Sequence, residues 1–264
     1  MPAKTGFELQ NADIELLNYV YQLRMATLDH LVALSGRSDK ALRARLLKLV
    51  KLRYLRVVRR FMQKNIYAIG GEGASVLVEH GHAPREVAEK RLIRHNEMSA
   101  TGIMHALFIV DIHTKLMLLT RTGPITLSHW QEGMSLWDYA ERNDGGKPFP
   151  VRPDAYFILQ HAELPEGKNR RFFFLEADRS SMNHLRMQEK LDGYLAYYEQ
   201  NLHLKKYPGM KAFIVSTVTL TRKRADELRK HLHPTIQRAD WRRAYPFIAL
   251  EDLTLQALLP AASP

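Results

Sequence analysis

The chain has 264 residues, of which 45% are hydrophobic and 25% charged, the balance of a globular protein with room for two ordinary domains. It contains no cysteine, so the sequence excludes disulfide frameworks, thiolate nucleophiles and cysteine-ligated zinc or iron–sulfur sites. The formal net charge of +11 suggests a polyanionic partner.

The sequence contains no segment that we expect to enter a membrane. The N-terminal stretch MPAKTGFELQNAD lacks the apolar core of a signal peptide. The longest apolar run, IMHALFIVDI, is too short and too interrupted to cross a bilayer. We therefore expect a cytoplasmic protein without a membrane partner.

Three helices are predicted at the start of the chain. Apolar residues at helical spacing predict the first over residues 12–24, with Asn11 as its cap. Thr27 is the predicted cap of the second, LDHLVALS, which Gly36 ends. Ser38 is the predicted cap of the third, SDKALRARLLKLVKL.

The third helix has one apolar side and one basic side. At 100° per residue Leu42, Leu46, Leu49 and Val50 fall on one arc, whereas the basic residues fall largely on the other side, namely Lys40, Arg43, Lys48 and Lys51. Two short β-runs follow, YLRVVRRF and IYAIG, which the polar turn MQKN joins. This order of elements is typical of a winged helix: a helix, a short helix, a basic helix and a basic hairpin.

The positive charge is concentrated in this region. Residues 37–64 contain eleven Lys and Arg residues and one acid, so they carry a net +10 of the protein's +11. In a winged helix the third helix enters the major groove and the hairpin lies along the phosphates. We therefore expect binding to double-stranded DNA, with a solvated basic face as the alternative. The predicted DNA-binding residues are Lys40, Arg43, Arg45, Lys48, Lys51, Arg56, Arg59, Arg60 and Lys64.

A domain boundary is predicted near residues 85–95. A short helix within GGEGASVLVEHG closes the first domain, and the charged stretch HAPREVAEKRLIRHNE is typical of an exposed helical connector. The predicted domains are a winged helix-turn-helix domain over residues 1–90 and a second domain over residues 95–264.

The second domain mixes helices and strands, which makes the whole chain an α+β protein. A long apolar helix, TGIMHALFIVDIHTKLMLL, precedes the strand ITLSHWQEG and the Pro/Gly-rich loop DGGKPFPVRPD. The segments AYFILQ and RRFFFLEAD predict an antiparallel hairpin. The long helix SSMNHLRMQEKLDGYLAYYEQNL, the strand KAFIVSTV, a basic helix and a strand near YPFIALEDL complete the domain.

Carboxylates lie at the ends of the two hairpin strands. Asp154 begins one strand, and Glu176 and Asp178 end the next. Such a pair can converge on one Mg²⁺, because that ion prefers hard oxygen ligands, and it would stabilise a phosphoryl transition state.

The segments RPDAYFIL, FFFLEADRSS and EKLDGYLAYY resemble the PD-(D/E)xK nuclease-like fold and, more closely, the replication-relaxation family of plasmid and integrative-element proteins. The segment HALFIVDIHTKL and the run Trp130-Gln131-Glu132 are similar to that family as well. The resemblance implies a winged helix followed by an α/β nuclease-like domain.

Carried over by position, Asp154 matches the first acid of the nuclease motif and Glu176 the second, with Glu132 as an additional acid for the metal. This chain departs from the motif because Asp178 stands where an active nuclease has lysine. In some branches of the fold the lysine has moved to the following helix, and Lys190 suits that position. The resemblance therefore implies Asp154, Glu176 and Lys190 as catalytic residues.

Three functions follow as alternatives. The first is a DNA-binding protein of a plasmid or mobile element that acts in replication, relaxation or their control. The second is a Mg²⁺-dependent DNA endonuclease that uses Asp154 and Glu176, the alternative being that these acids and an Asp178–Arg179 ion pair are structural. The third is a transcriptional repressor that acts as a homodimer on a palindrome.

Overall fold

The computed structural model describes residues 7–62, 64–87, 98–180, 183–236 and 239–259. Within these ranges, the side chains of residues 59–61, 239 and 240 are left undescribed. The chain divides into two compact units, Met1–Thr114 and Lys115–Pro264. Most of the predicted connector, residues 88–97, lies outside the described residues, so the boundary near residues 85–95 stays a prediction.

Three helices open the first unit: α1 (Asn11–Leu23), α2 (Leu28–Ser35) and α3 (Asp39–Lys51). The predicted caps Thr27 and Ser38 are confirmed, and Gly36 ends α2 in the left-handed conformation that glycine favours. The predicted cap of α1 was wrong by one residue. The cap is Gln10, because its backbone N–H donates to the Asp13 carboxylate at 2.8 Å in a reciprocal capping arrangement.

A β-hairpin follows the three helices, as the sequence predicts. Its strands, β1 (Leu55–Phe61) and β2 (Lys64–Ile69), pair antiparallel with an irregularity between Val57 and Arg59. The short helix α4 (Gly71–Glu79) comes next. The core of this unit consists mainly of leucines that α1, α2 and α3 turn inward. Its fully buried members include Leu16, Leu17, Leu31, Leu42, Leu46 and Leu49.

A long apolar helix, α5 (Ala100–Leu119), begins in the first unit and ends in the second. By length and composition it could cross a membrane, with a mean hydropathy of 1.5 over 18 residues. A single such helix is weak evidence, because core helices of soluble proteins have the same composition. The absence of a membrane partner stays a prediction.

The second unit contains a five-stranded mixed sheet. Its strands are β3 (Ile125–Glu132), β6 (Ala155–His161), β7 (Arg170–Asp178), β8 (Ile214–Thr219) and β9 (Phe247–Ala249), in the spatial order β3-β6-β7-β8-β9. The first two pairings, β3 with β6 and β6 with β7, are antiparallel. The pairings of β7 with β8 and of β8 with β9 are parallel. The predicted hairpin of β6 and β7 is confirmed.

A second, two-stranded sheet has one of its strands in the segment DGGKPFPVRPD, which the sequence predicts as loop. Strand β4 (Asp138–Ala140) pairs antiparallel with β5 (Phe149–Val151), and a 3₁₀ turn, Met134–Leu136, precedes them. The loop prediction was therefore wrong for Phe149–Val151, because three residues between prolines and glycines are too few to show an alternating pattern. We call the segment Met134–Val151 the ribbon.

Five helices of the second unit are described: α6 (His184–Glu199), α7 (Leu202–Lys206), α8 (Arg222–Leu232), α9 (Ala239–Ala244) and α10 (Leu255–Leu258). The helix α6 begins later than the sequence suggests, at the cap Asn183. Helices α6 and α8 pack on one face of the sheet over an aromatic core. Within that core the rings of Tyr156 and Phe174 lie 5.8 Å apart, and those of Phe174 and Tyr194 5.6 Å.

Candidate functional site

The first candidate site is the exposed side of α3. Leu42, Leu46 and Leu49 are buried, so the helix packs on its leucine side and turns its opposite side to solvent. That exposed side carries four cations, which we call the cationic face: Lys40, Arg43, Lys48 and Lys51. The face contains one acid, Asp39, which forms an ion pair with Arg43 one turn away.

An exposed leucine lies within the cationic face. The side chain of Leu47 is 69% exposed, although the other leucines of α3 are buried. At 100° per residue Leu47 falls between Arg43 and Lys51 on the solvent side. We did not select Leu47 from the sequence. The signal was present, because it is the one leucine of α3 that lies off the apolar arc.

Arg45 belongs to the interior rather than to the cationic face. Its guanidinium donates to both carboxylate oxygens of Asp13, a residue with no exposed surface, with Nε 2.6 Å from Oδ1. It also donates to the Glu8 carbonyl at 3.1 Å and lies 4.2 Å from the centre of the Phe7 ring. The structure therefore places this predicted DNA-binding residue in an ion pair with α1.

The hairpin holds the other predicted DNA-binding residues. Arg56 on β1 is half-buried. Lys64 begins β2 and forms an exposed ion pair with Asp29 of α2. The side chains of Arg59 and Arg60 lie outside the described residues. The structure thus brings Lys64 and the cationic face to solvent, each with one acid nearby.

The second candidate site lies in the second unit around Glu176. This carboxyl group is buried on β7, and both of its oxygens accept hydrogen bonds from α6. Lys190 Nζ donates to Oε2 in an ion pair, and the Tyr194 hydroxyl donates to Oε1 at 2.6 Å. The helix places both donors because residues 190 and 194 are one turn apart.

Asp154 joins this group from the neighbouring strand end. Its carboxylate accepts a hydrogen bond from the Ala177 backbone N–H at 2.8 Å, and its own N–H donates to Leu175 at 2.9 Å. The structure therefore brings the three predicted catalytic residues to one strand end. We call Asp154, Glu176, Lys190 and Tyr194 the acid–lysine cluster.

The cluster contains two carboxylates and one ammonium group. Burial raises the pKa of Glu176, and the charge of Asp154 adds to this, although Lys190 opposes it. Burial opposes the charge of Lys190, but Glu176 and Asp154 outweigh burial and raise the pKa of its ammonium group. Burial and Glu176 likewise raise the pKa of Tyr194 well above its usual value, so its hydroxyl stays a donor.

Glu132, the predicted additional acid, is not brought to the cluster. Glu132 pairs with Ala155 across the strands, and alternation puts its side chain on the opposite face of the sheet from Tyr156 and Glu176. There it accepts a hydrogen bond from Trp130 Nε1 at 2.7 Å.

Asp178, where the nuclease motif has lysine, forms a buried ion pair with α8. Arg224 Nε donates to its Oδ2 at 2.6 Å, and the Ser180 backbone N–H donates to its Oδ1 at 3.0 Å. The sequence suggests the adjacent Arg179 as the ion-pair partner of Asp178. We did not identify Arg224 from the sequence, because it lies 46 residues further along the chain.

Asp154 and Glu176 fit a small divalent cation by the chemistry of their donors. Mg²⁺ in proteins takes one or two carboxylates and keeps several waters, so these two residues would suffice to hold it. Within the described ranges, no group of three or more His, Cys, Asp or Glu side chains is placed to hold a metal ion. Any such site would therefore depend on water or backbone oxygens.

The comparisons with known proteins give one match. The sequence model of the family described as Replication-relaxation matches residues 17–212, which include both the cationic face and the acid–lysine cluster. Comparison with curated proteins and with solved structures finds no match. The chain belongs to the Replication-relaxation family.

Proposed function

We propose that this protein binds double-stranded DNA through the cationic face of α3, in the manner of a winged helix. The proposal is supported above all by the four exposed cations on the side of α3 that faces away from the core. Exposed cations along one helix face neutralise phosphates and release condensed counterions, which supplies most of the affinity for DNA.

The arrangement of α2, α3 and the hairpin suits this role. A recognition helix lies in the major groove with phosphates on both sides, and a hairpin beside it reaches the backbone. Leu47 would then face the base edges, where an apolar side chain can contact the methyl group of thymine. Arg45 has no part in this surface, because it neutralises Asp13.

A pair of triple variants tests the proposal. Replacing Lys40, Arg43 and Lys48 by Gln is expected to weaken binding to a duplex by about tenfold or more at moderate salt. The matched control replaces three exposed lysines of the second unit, Lys211, Lys223 and Lys230, so that the net charge changes equally. Equal losses in both variants, or no loss in the first, would refute α3 as the binding element.

We propose a second candidate function, cleavage of a phosphodiester bond at the acid–lysine cluster, within a domain of the PD-(D/E)xK nuclease-like kind. The observation that favours it is the buried Glu176 carboxylate held between Lys190 and Tyr194 beside Asp154. Charged groups gathered and desolvated at a strand end are typical of catalytic sites, although structural ion pairs share this property.

Each residue of the cluster would have a separate role in cleavage. Asp154 and Glu176 would hold a Mg²⁺ ion, which supplies stabilisation of the charge that develops on the phosphoryl oxygens. Lys190 keeps its proton at neutral pH, because its pKa is raised, and would stabilise hydroxide and the phosphorane charge. Tyr194 would fix the orientation of Glu176 through its 2.6 Å hydrogen bond.

Incubation of supercoiled plasmid with the protein and Mg²⁺ tests cleavage. We expect nicked or linear DNA with the wild type and none with Asp154→Asn, which keeps the size of the side chain and removes its charge. Glu132→Gln is the matched control, because Glu132 lies on the other face of the sheet. An intact plasmid with a wild-type protein that binds duplex would overturn the cleavage proposal and leave DNA binding in place.

A further inference from the structure

The ribbon of the second unit carries large side chains that are exposed to solvent. Met134, Trp137 and Tyr139 are 66%, 45% and 52% exposed. The guanidinium of Arg152 lies 4.8 Å from the centre of the Trp137 ring and 5.5 Å from that of Tyr139, and it donates to the Tyr139 hydroxyl at 2.6 Å. We call Trp137, Tyr139 and Arg152 the platform.

The platform carries one positive charge, which no carboxylate of the described residues pairs with. Arg152 is exposed, and among the described residues it contacts the two rings but no carboxylate. A positive group lying against exposed aromatic rings is complementary to a ligand that has both flat rings and negative charge.

The ribbon is hydrogen-bonded to α6 and to α7. The Tyr197 hydroxyl donates to Asp138 at 2.9 Å, and Lys206 Nζ donates to the Trp137 carbonyl at 2.7 Å. A Cβ atom at Gly193 would lie 3.1 Å from Phe149 Cβ, so the lack of a side chain at this position lets β5 approach the helix. These contacts fix the platform before a ligand binds, which limits the conformational entropy lost on binding.

One residue of the platform, Arg152, lies close to the acid–lysine cluster along the chain. The segment that leaves β5 runs from Arg152 to Asp154, so the Cα atoms of these two residues are at most about 7 Å apart. Helix α6 carries Lys190 of the cluster and, one turn later, Gly193 beneath the ribbon. A chain bound across the platform would pass close to the carboxylates.

We infer that the platform stacks unpaired bases of a single-stranded nucleic acid and leads its backbone toward the acid–lysine cluster. A duplex keeps its bases stacked inside, so exposed rings can stack only on bases that are unpaired. Arg152 adds an attraction for phosphate to the stacking. The inference deepens the second candidate function, because it assigns that cluster a strand with unpaired bases.

Two fluorescent oligomers of equal length test the inference with the full chain. One is an oligothymidylate and the other has abasic sites throughout, so that they share their phosphates and differ only in their bases. We expect the wild type to bind the oligothymidylate about tenfold more tightly, because stacking is worth a factor of this order for each base. Quenching of Trp137 fluorescence should accompany binding.

Variants separate the platform from the other surfaces. Trp137→Ala is expected to abolish the preference for the oligothymidylate, Trp137→Phe to retain most of it, and both to leave duplex affinity unchanged. Leu185→Ala, which removes an 81% exposed side chain from α6, is the matched control and should keep the full preference.

The inference is overturned if the wild type binds both oligomers equally, the outcome expected if these rings serve a protein partner instead. It is overturned as well if Trp137→Ala keeps the preference. Its failure is distinguishable from failure of the proposed functions, which are measured on a duplex and on plasmid cleavage.

Discussion

The two candidate sites of this protein hold charge in opposite ways. The first leaves the four cations of the cationic face in solvent, where Arg43 forms an exposed ion pair with Asp39. The second buries charge in pairs, with Glu176 against Lys190 and Asp178 against Arg224. An exposed charge keeps its hydration, whereas a buried charge without a partner costs several kcal/mol.

This contrast shows what the sequence and the structure each reveal about function. Exposed cations can be counted along the chain, so the first unit's candidate surface is visible in the sequence. Buried pairs join residues from distant elements, so their partners emerge only in the fold. Counting cations along the sequence misassigns Arg45, because this residue lies in the cationic segment but its side chain forms an ion pair with the buried Asp13.

The largest expected effect comes from removing the cation of a buried pair. Lys190→Met leaves Glu176 without its counter-charge, and we expect a loss of about 3–5 kcal/mol in the free energy of unfolding at pH 8. Chemical denaturation measures it. The double variant Glu176→Gln with Lys190→Met should recover most of the loss, because neither position then carries a charge.

The loss in Lys190→Met should depend on pH with a definite sign. Burial raises the pKa of Glu176 already, and without Lys190 nothing of comparable strength lowers it. The folded variant then binds a proton more tightly than the unfolded chain, so its stability falls as pH rises from the unfolded pKa of Glu through the raised folded pKa. A variant equally destabilised at pH 5 and pH 8 would contradict this account of the cluster.

A smaller effect distinguishes Arg45 from its neighbours on α3. We expect Arg45→Met to reduce the free energy of unfolding by about 2–3 kcal/mol, because Asp13 has no exposed surface and would lose its ion pair. Lys48→Gln should change stability by less than about 0.5 kcal/mol, because Lys48 is exposed. Equal stabilities of the two variants in thermal denaturation would mean that Arg45 belongs with the surface cations after all.

The smallest effect concerns the acid of the cationic face. Asp39→Asn should have little effect on stability, because its ion pair with Arg43 is fully exposed to solvent. The same change should strengthen duplex binding, because it removes the charge that repels phosphate and competes for Arg43. Weaker binding in a fluorescence anisotropy titration would argue against contact between this face and DNA.

Much of the fold could be predicted from local patterns. The caps Thr27 and Ser38, the hairpin after α3 and the pairing of β6 with β7 each follow from short stretches of sequence. The position of Glu132 was not predictable in this way, because the face on which its side chain lies depends on the register of β3, which shifts between Leu127 and His129.

The rest of the site depends on contacts that no short stretch contains. The ion-pair partner of Asp178 lies on α8, far along the chain. The two strands of the ribbon have three residues each, which is too short for an alternating pattern to be visible in the sequence. The closeness of Lys190 to Glu176 followed from the family resemblance, because one residue lies on a helix and the other on a strand. The roles of these residues stay predictions.

The salt dependence of duplex binding tests the central proposal most directly. For the wild type, the logarithm of the binding constant should fall with the logarithm of salt concentration by about 0.9 for each phosphate neutralised. The Gln variant of Lys40, Arg43 and Lys48 should show a slope shallower by about 2 to 3, whereas the Gln variant of Lys211, Lys223 and Lys230 keeps the wild-type slope. Identical slopes for all three proteins would contradict DNA binding through the cationic face.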